Sequence, residues 1–348
     1  MVSFSRNSRS IIANWWWTVD KTLLTLLTLL LAIGIFLNFS ASPSVANRIG
    51  VGSFHFIKRQ LFFVPIAYGI MLFLSMQSLK TIRRTAIVGY VLTLMLMAVT
   101  LFWGEETKGA SRWITLFGFS LQPSEFVKPT FAVVAAWLFD GQKKYRDFPG
   151  NLLSMSLYFL TAVLLLLQPD LGMTIVVTAI WCFQFFLAGL SLWLVGILGA
   201  LGLVGAVAAY FIFHVRVDQF LASESNLGYQ IKKSLEAFQS GGFFGRGPGE
   251  GVVKMNIPDA HTDFIFAVAA EEYGMFLCLV IVGIYAAIVV RAMIVSAKDN
   301  NLFIILSASA LAASFGLQGI INMASSLHMM PTKGMTLPFI SYGGSSLL

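Results

Sequence analysis

The feature that most limits what this chain can become is a recurring one: runs of roughly 20 apolar residues separated by short polar turns, each long enough to cross a bilayer as a helix. The runs fall at 19–39, 60–77, 85–103, 123–140, 151–168, 170–189, 191–213, 263–292 and 301–326, and another opens at 339–348. That last run is too short to span and reads as a helix cut off before its end. The composition agrees. Only 11% of the 348 residues are charged and 57% are hydrophobic, whereas soluble domains carry roughly a quarter charged residues. The pattern predicts an all-α, polytopic membrane protein of about ten transmembrane helices. It forms one integral-membrane domain with a long outer loop over 214–262.

The polar turns carry the remaining information. Arg6 and Arg9 with Trp15, Trp16 and Trp17 form a basic, aromatic collar suited to anchoring at headgroup depth. Ser44-Val45-Ala46 faintly resembles a cleavage site, but the run before it is long for a signal peptide and reads as an uncleaved first span. Cys182 and Cys278 both lie in apolar runs, which points to buried small side chains and not to a disulfide or a metal site. Net charge is +7, with the cations in loops between spans. Membrane lipids and anionic lipid substrates fit such a placement, and nucleic acid does not. Two Gln-Pro pairs, Gln122-Pro123 and Gln168-Pro169, open helices running the same way, with Ser124 or Glu125 available to satisfy free amides after the first. Counting basic residues near span ends puts the N-terminus in the cytoplasm. The opposite face then holds about as many, including Arg48, Arg112, Lys128, Lys233, Lys254 and Lys333. A phosphate-bearing substrate there would account for that surplus.

Three constellations could carry chemistry. A helix starting near Thr262 would line up Asp263, Ala267, Ala270 and Gly274 on one face, so that a carboxylate tops a stripe of small residues. Asp263 then either caps the helix or acts on a substrate. Arg112, Lys128 and Lys333 come from separate loops or span ends; singly each is a snorkelling cation, and together they could hold a diphosphate. The glycine-rich stretch 241–249, with Gly245 and Gly247, makes a poor helix or strand and no nucleotide-binding loop, and serves as a connector or as a mobile cover over the site. Glu125, Asp170 and Glu272 are acids near spans that suit pairing with Lys128 or Arg112. On a helix His261 would diverge from Asp263.

The segments PDAHTDFIFAVAAEEYG (258–274) and PTKGMTLPFISYGGSS (331–346) closely resemble the SEDS family of shape, elongation, division and sporulation proteins. KGASRWI (108–114), LQPSEFVKP (121–129) and QPDLG (168–172) follow the same family in order. The loop GGFFGRGPGEG (241–251) is similar to the division branch and to its alphaproteobacterial members. The resemblance implies a ten-span peptidoglycan glycosyltransferase that polymerises lipid II. Asp263 would be its general base. Arg112, Lys128, Lys333, Glu125, His261, Thr262 and Ser341 would contact substrate, with Asp170, Glu271, Glu272, Gly245 and Gly247 in support. A divalent cation such as Mg or Mn could bridge the phosphates. The partners implied are a class B penicillin-binding protein (the division transpeptidase) and other divisome proteins. The location implied is the bacterial inner membrane at the septum, with the site facing the periplasm. Flipping of lipid II and a non-enzymatic divisome scaffold are the alternatives.

Overall fold

The computed structural model describes residues 11–107, 110–116, 119–189, 193, 226–330 and 334–347. A short helix, α1 (Ile11–Thr18), precedes three long ones: α2 (Lys21–Arg48), α3 (His55–Ser75) and α4 (Leu79–Trp103). A three-stranded antiparallel meander follows, with β1 (Glu105–Thr107), β2 (Ala110–Leu116) and β3 (Phe119–Leu121). Then come α5 (Pro123–Lys144), α6 (Gly150–Leu167), α7 (Leu171–Leu187) and α8 (Asn226–Gly241). A 3-10 turn (Val253–Asn256) leads to α9 (Ile265–Ser296), α10 (Leu302–Ser326) and the short α11 (Gly344–Leu347). Among the described residues, α2, α3, α4, α6, α9 and α10 are long and apolar enough to cross a membrane. The chain is therefore a helical, multi-pass membrane protein. The span expected at 191–213 lies outside the described residues.

Position in the bundle explains which helices are apolar. Helix α5 packs against α4, α6, α7 and α10, and Val127, Phe131, Ala132, Ala136 and Phe139 are fully buried. Shielded from lipid by its neighbours, α5 can carry charge at both ends. Helix α4, by contrast, turns Val88, Leu92, Met95 and Phe102 outward, a greasy face that only lipid would welcome. A second core surrounds α9, where Leu30, Leu37, Phe264, Ile265 and Ile281 are buried together.

Several boundaries differ from the sequence expectation. Helix α2 runs on to Arg48 with Pro43 inside it, because Asn38 and Ser42 are buried inside the bundle and do not begin a loop. The polar loop expected at 104–122 is the meander, whose middle strand packs on α4 and α5. The long outer loop contains α8, which packs on α9. The last span expected from residue 339 is instead irregular through residue 343, and Phe339 takes a left-handed φ of 65°. Helix α9 begins at Ile265, with Phe264 as N-cap. Asp263 therefore sits in a turn before the helix, and the small-residue face proposed for it does not include it.

Helix α9 is itself broken. Gly274 adopts φ 72° and ψ −173°, a conformation open essentially only to glycine. The glycine stretch 241–249 fills the break. Its amides at Arg246 and Gly247 donate to the carbonyls of Glu271 and Glu272, both at 3.0 Å. Its carbonyls at Gly242 and Phe243 accept from the amides of Met275 (3.0 Å) and Phe276 (3.1 Å). One loop thus meets two of the orphaned groups on each side of the break. The stretch is part of the scaffold, in place of the mobile cover expected from its composition. Gly274→Ala should destabilise the detergent-purified protein by about 1–3 kcal/mol of backbone strain, read as a lower melting temperature; an unchanged melting curve would show that the break tolerates a side chain.

Candidate functional site

Asp263 lies in a turn whose backbone is held at three successive carbonyls. That of His261 accepts the Tyr342 amide at 2.8 Å, that of Thr262 the Ser341 hydroxyl at 2.5 Å, and that of Asp263 the Asn322 amide at 3.0 Å. The donors belong to α10 and to the irregular segment 334–343, which is fastened in turn. Asn322 Nδ2 also donates to Met335 O at 2.6 Å, Tyr285 OH donates to Pro338 O, and Asn38 Nδ2 reaches Ile340 O at 2.8 Å. Gly34 of α2 lets this backbone come close: a Cβ there would lie 2.5 Å from Phe339 O. With its main chain fixed, Asp263 keeps a half-exposed side chain. One carboxylate oxygen sits 3.6 Å from where a Cβ on Gly334 would be. Lys333, the neighbour of Gly334, lies outside the described residues.

Ser341 is buried and uses its hydroxyl twice, donating to Thr262 O and accepting from Leu337 N at 2.8 Å. Thr262 bends back to Asp259 O at 3.3 Å. His261 is buried between Phe56 and Tyr342, with ring centroids 4.5 and 5.1 Å away, and its Nδ1 has no hydrogen-bond partner. As placed, Ser341 and His261 shape the turn from within. Burial drives the His261 pKa down to about 4, against the pull of Asp259 and with a smaller push from Arg48.

Arg112, Glu125, Lys128 and Asp170 gather in a second cluster. Strand β2 carries Arg112 over the start of α7, where Nε donates to Gln168 O at 3.1 Å, Nη2 donates to Pro169 O, and Nη1 lies 3.7 Å from Asp170. Asp170 caps α7 through the Met173 amide at 3.2 Å. Its carboxyl is pushed upward by burial, with Arg112 opposing and the charge of Glu125 adding to the rise. Lys128 is buried and paired with Glu125 at 2.5 Å, while the Gln122 side chain, at the N-cap of α5, accepts from none of the helix amides. Neither Ser124 nor Glu125 serves the α5 amides as expected: Ser124 accepts from the Gln122 side chain and Glu125 from Lys128. The two clusters share one strap. Ser345, at its end, accepts the Gln122 amide at 3.0 Å beside the second cluster.

Glu271 and Glu272 hold the approach to the Asp263 turn. Glu271 accepts the amides of Val253 (2.7 Å) and Lys254 (2.8 Å). Glu272 pairs with buried Lys254, and not with Lys128 or Arg112, and takes the hydroxyl of Ser40 as well. Sequence reading missed Asn322 and Asn38, and counted Lys254 only among the loop cations. The available signal was a polar side chain within or beside an apolar run, which needs a buried partner.

Two predictions follow from this packing. Lys254→Met should destabilise the protein by about 3–5 kcal/mol by leaving Glu272 buried and unpaired, and adding Glu272→Gln should restore much of the loss; melting of both variants in detergent checks this. His261, whose pKa falls from 6.5 to about 4 on folding, contributes stability that is complete above pH 6.5 and is lost as pH falls toward 4. Protection factors for hydrogen exchange at residues 259–264, taken relative to the intrinsic rate at each pH, should therefore fall on acidification through that window, and His261→Phe should remove this share of the dependence.

The sequence profile of the FtsW, RodA and SpoVE cell cycle proteins matches residues 20–348. The probable peptidoglycan glycosyltransferase FtsW of Caulobacter vibrioides is 44% identical over 99% of this chain and 90% of its own length. The Escherichia coli protein of that name is 35% identical over 94% and 82%. Among solved structures, a chain of a peptidoglycan synthase complex that coordinates polymerization and crosslinking superposes with a TM-score of 0.79. It is 28% identical and covers 95% of this chain and 94% of its own. The crystal structure of Thermus thermophilus RodA gives 0.69 at 28% identity, covering 95% and 93%.

Proposed function

Because the chain belongs to the FtsW, RodA and SpoVE family of cell cycle proteins, and is a peptidoglycan glycosyltransferase of the FtsW type, we propose that it polymerises lipid II with Asp263 as general base. The observation that carries this reading is the contrast at Asp263. Its backbone is bonded on three consecutive carbonyls, while its carboxylate stays half-exposed over the Gly334 backbone. A capping residue needs no such anchorage; a base does, because proton transfer demands hydrogen-bond reach to the acceptor.

The Asp263 carboxylate takes the proton from the 4-hydroxyl of the acceptor's terminal GlcNAc as that oxygen attacks the anomeric carbon of the donor's MurNAc. The bond from that carbon to phosphate breaks, and undecaprenyl pyrophosphate leaves with the electron pair. The α-linked donor yields a β-1,4 bond, and the proton passes from Asp263 to water. The leaving group carries its own negative charge, so cations can replace an acid in stabilising it. Arg112, half-exposed above Asp170, and Lys333 are assigned that task. Lys128, already neutralised by Glu125, acts by fixing the cluster. Among the described residues no three His, Cys, Asp or Glu side chains come together to hold a metal ion. A divalent cation bridging the phosphates would be held chiefly by the substrate itself with one or two carboxylates, and would add to the neutralisation of the leaving group.

This reading places the N-terminus in the cytoplasm of the bacterial inner membrane and the Asp263 turn toward the periplasm at the septum. The division transpeptidase, a class B penicillin-binding protein, is its partner, with other divisome proteins around it. The likeness to a chain of a peptidoglycan synthase complex supports that pairing.

The reading is tested with labelled lipid II in detergent, where no bilayer has to be crossed, adding the transpeptidase if the chain alone is idle. Asp263→Ala and Asp263→Asn should cut glycan formation by about 10²–10⁴-fold, leaving melting behaviour unchanged. Equal product from wild type and variants would remove Asp263 from the mechanism and favour a flippase or scaffold.

A further inference from the structure

The glycine stretch that fills the α9 break also presents Phe243 and Phe244 to the outside, 55% and 81% exposed, with their rings edge to face at 4.9 Å. Water is a poor neighbour for two adjacent phenyl rings, and the loop that bears them is not free to fold them away. The carbonyls of Gly242 and Phe243 are bonded to the amides of Met275 and Phe276, so the pair stands level with the first turn of the second half of α9. That half, residues 275–296, measures about 33 Å at 1.5 Å per residue, close to the roughly 30 Å of a hydrocarbon core. It exposes Met275, Phe276, Leu279 and Val282 near this end. Toward its far end, Arg291 is bonded to Asp20 at 2.9 Å, beside the tryptophan-rich α1. Its first turn therefore lies at the edge of the hydrocarbon on the Asp263 side. Arg246, exposed in the same loop, adds a cation at headgroup height. Aromatic rings with a neighbouring cation favour this depth.

We propose that Phe243 and Phe244 form an interfacial anchor inserted into the leaflet on the Asp263 side, with Arg246 directed to lipid phosphates. The partner is the bilayer itself, at the boundary of headgroups and acyl chains. The anchor is continuous with the lipid-facing side of α9. It is bonded to both halves of that helix, so it fixes the height of the half-helix 265–273 and of the Asp263 turn just before it. A sugar linked to a membrane lipid hangs at a set distance from the bilayer, and a base must meet it there. This consequence rests on the glycosyltransferase reading; the anchor itself does not.

The test uses the whole chain in lipid nanodiscs containing phosphatidylglycerol, with Cys182 and Cys278 replaced by alanine. A nitroxide is placed at Phe244→Cys or, as a reference in the same loop, at exposed Glu250→Cys. The label at 244 should relax more with oxygen than with a water-soluble nickel chelate, and the label at 250 the reverse. Nickel access at 244 equal to that at 250, or shielding from both reagents as under a protein contact, overturns the anchor. The double variant Phe243→Ser, Phe244→Ser should lose glycan formation in nanodiscs and keep it in detergent. Equal activity in both media overturns the height-setting role. Inactivity of the unsubstituted chain in both media would fail the catalytic reading alone, since the depth measurement needs no turnover.

Discussion

Everything near the reactive end of this protein depends on one requirement: a backbone amide or carbonyl taken out of water must find a partner. Helix α9 is interrupted at Gly274, and an interrupted helix at a membrane boundary leaves two rows of unpaired groups. The glycine stretch meets two groups of each row, donating through Arg246 and Gly247 and accepting through Gly242 and Phe243. Gly241 and Gly245 approach the α9 backbone so closely that a Cβ on either would overlap the carbonyls of Ala270 and Glu272. The glycines therefore serve close contact more than flexibility. The break frees the half-helix 265–273 from continuing the span, and so lets the Asp263 turn be set by other contacts.

The same requirement governs the strap 334–343. An irregular segment among helices survives only where each polar group is met, and here the partners come from Asn38, Tyr285, Asn322 and the turn at 261–263. Asn322 is central because its amide group serves Asp263 and Met335 together. The strap thereby carries Gly334 to Asp263 at one end and Ser345 to Gln122 at the other. Two charged clusters from distant parts of the sequence thus share one support.

The spans were legible because lipid-facing helices must be apolar on most of their surface, and α3, α4, α6 and α10 announce themselves that way. Helix α8 did not, since it is short and polar on balance, and its stripe of Ile231, Leu235 and Phe238 is too brief to read as a span. The turn at Asp263 was read as helix because alanines and a glycine recur after it at helical spacing; what stops the helix at Ile265 is the set of carbonyl contacts from the strap, which no local pattern encodes. Pairing with Lys128 or Arg112 was expected of Glu125, Asp170 and Glu272 alike; Asp170 lies beside Arg112 and Glu125 pairs with Lys128. Glu272 found Lys254 instead, because the glycine stretch folds back over α9 and brings the 3-10 turn against it.

That folding back also changes the meaning of the basic residues on the Asp263 side. Their number alone suggested a phosphate to be bound. Arg48, however, holds Ile257 O at 2.8 Å, Lys128 and Lys254 are buried in ion pairs, and Lys233 is taken by Glu236 at 2.6 Å. Several of these charges are thus spent on fastening loops whose carboxylates and carbonyls would otherwise be unmatched. Arg112 also fastens carbonyls, those of Gln168 and Pro169, yet its guanidinium stays partly exposed 3.7 Å from Asp170. A guanidinium that still faces solvent has donors left for a passing anion. On the mechanism proposed above, the surplus of positive charge argues for a phosphate site through Arg112, and the buried cations Lys128 and Lys254 argue for rigidity around it and around the Asp263 turn.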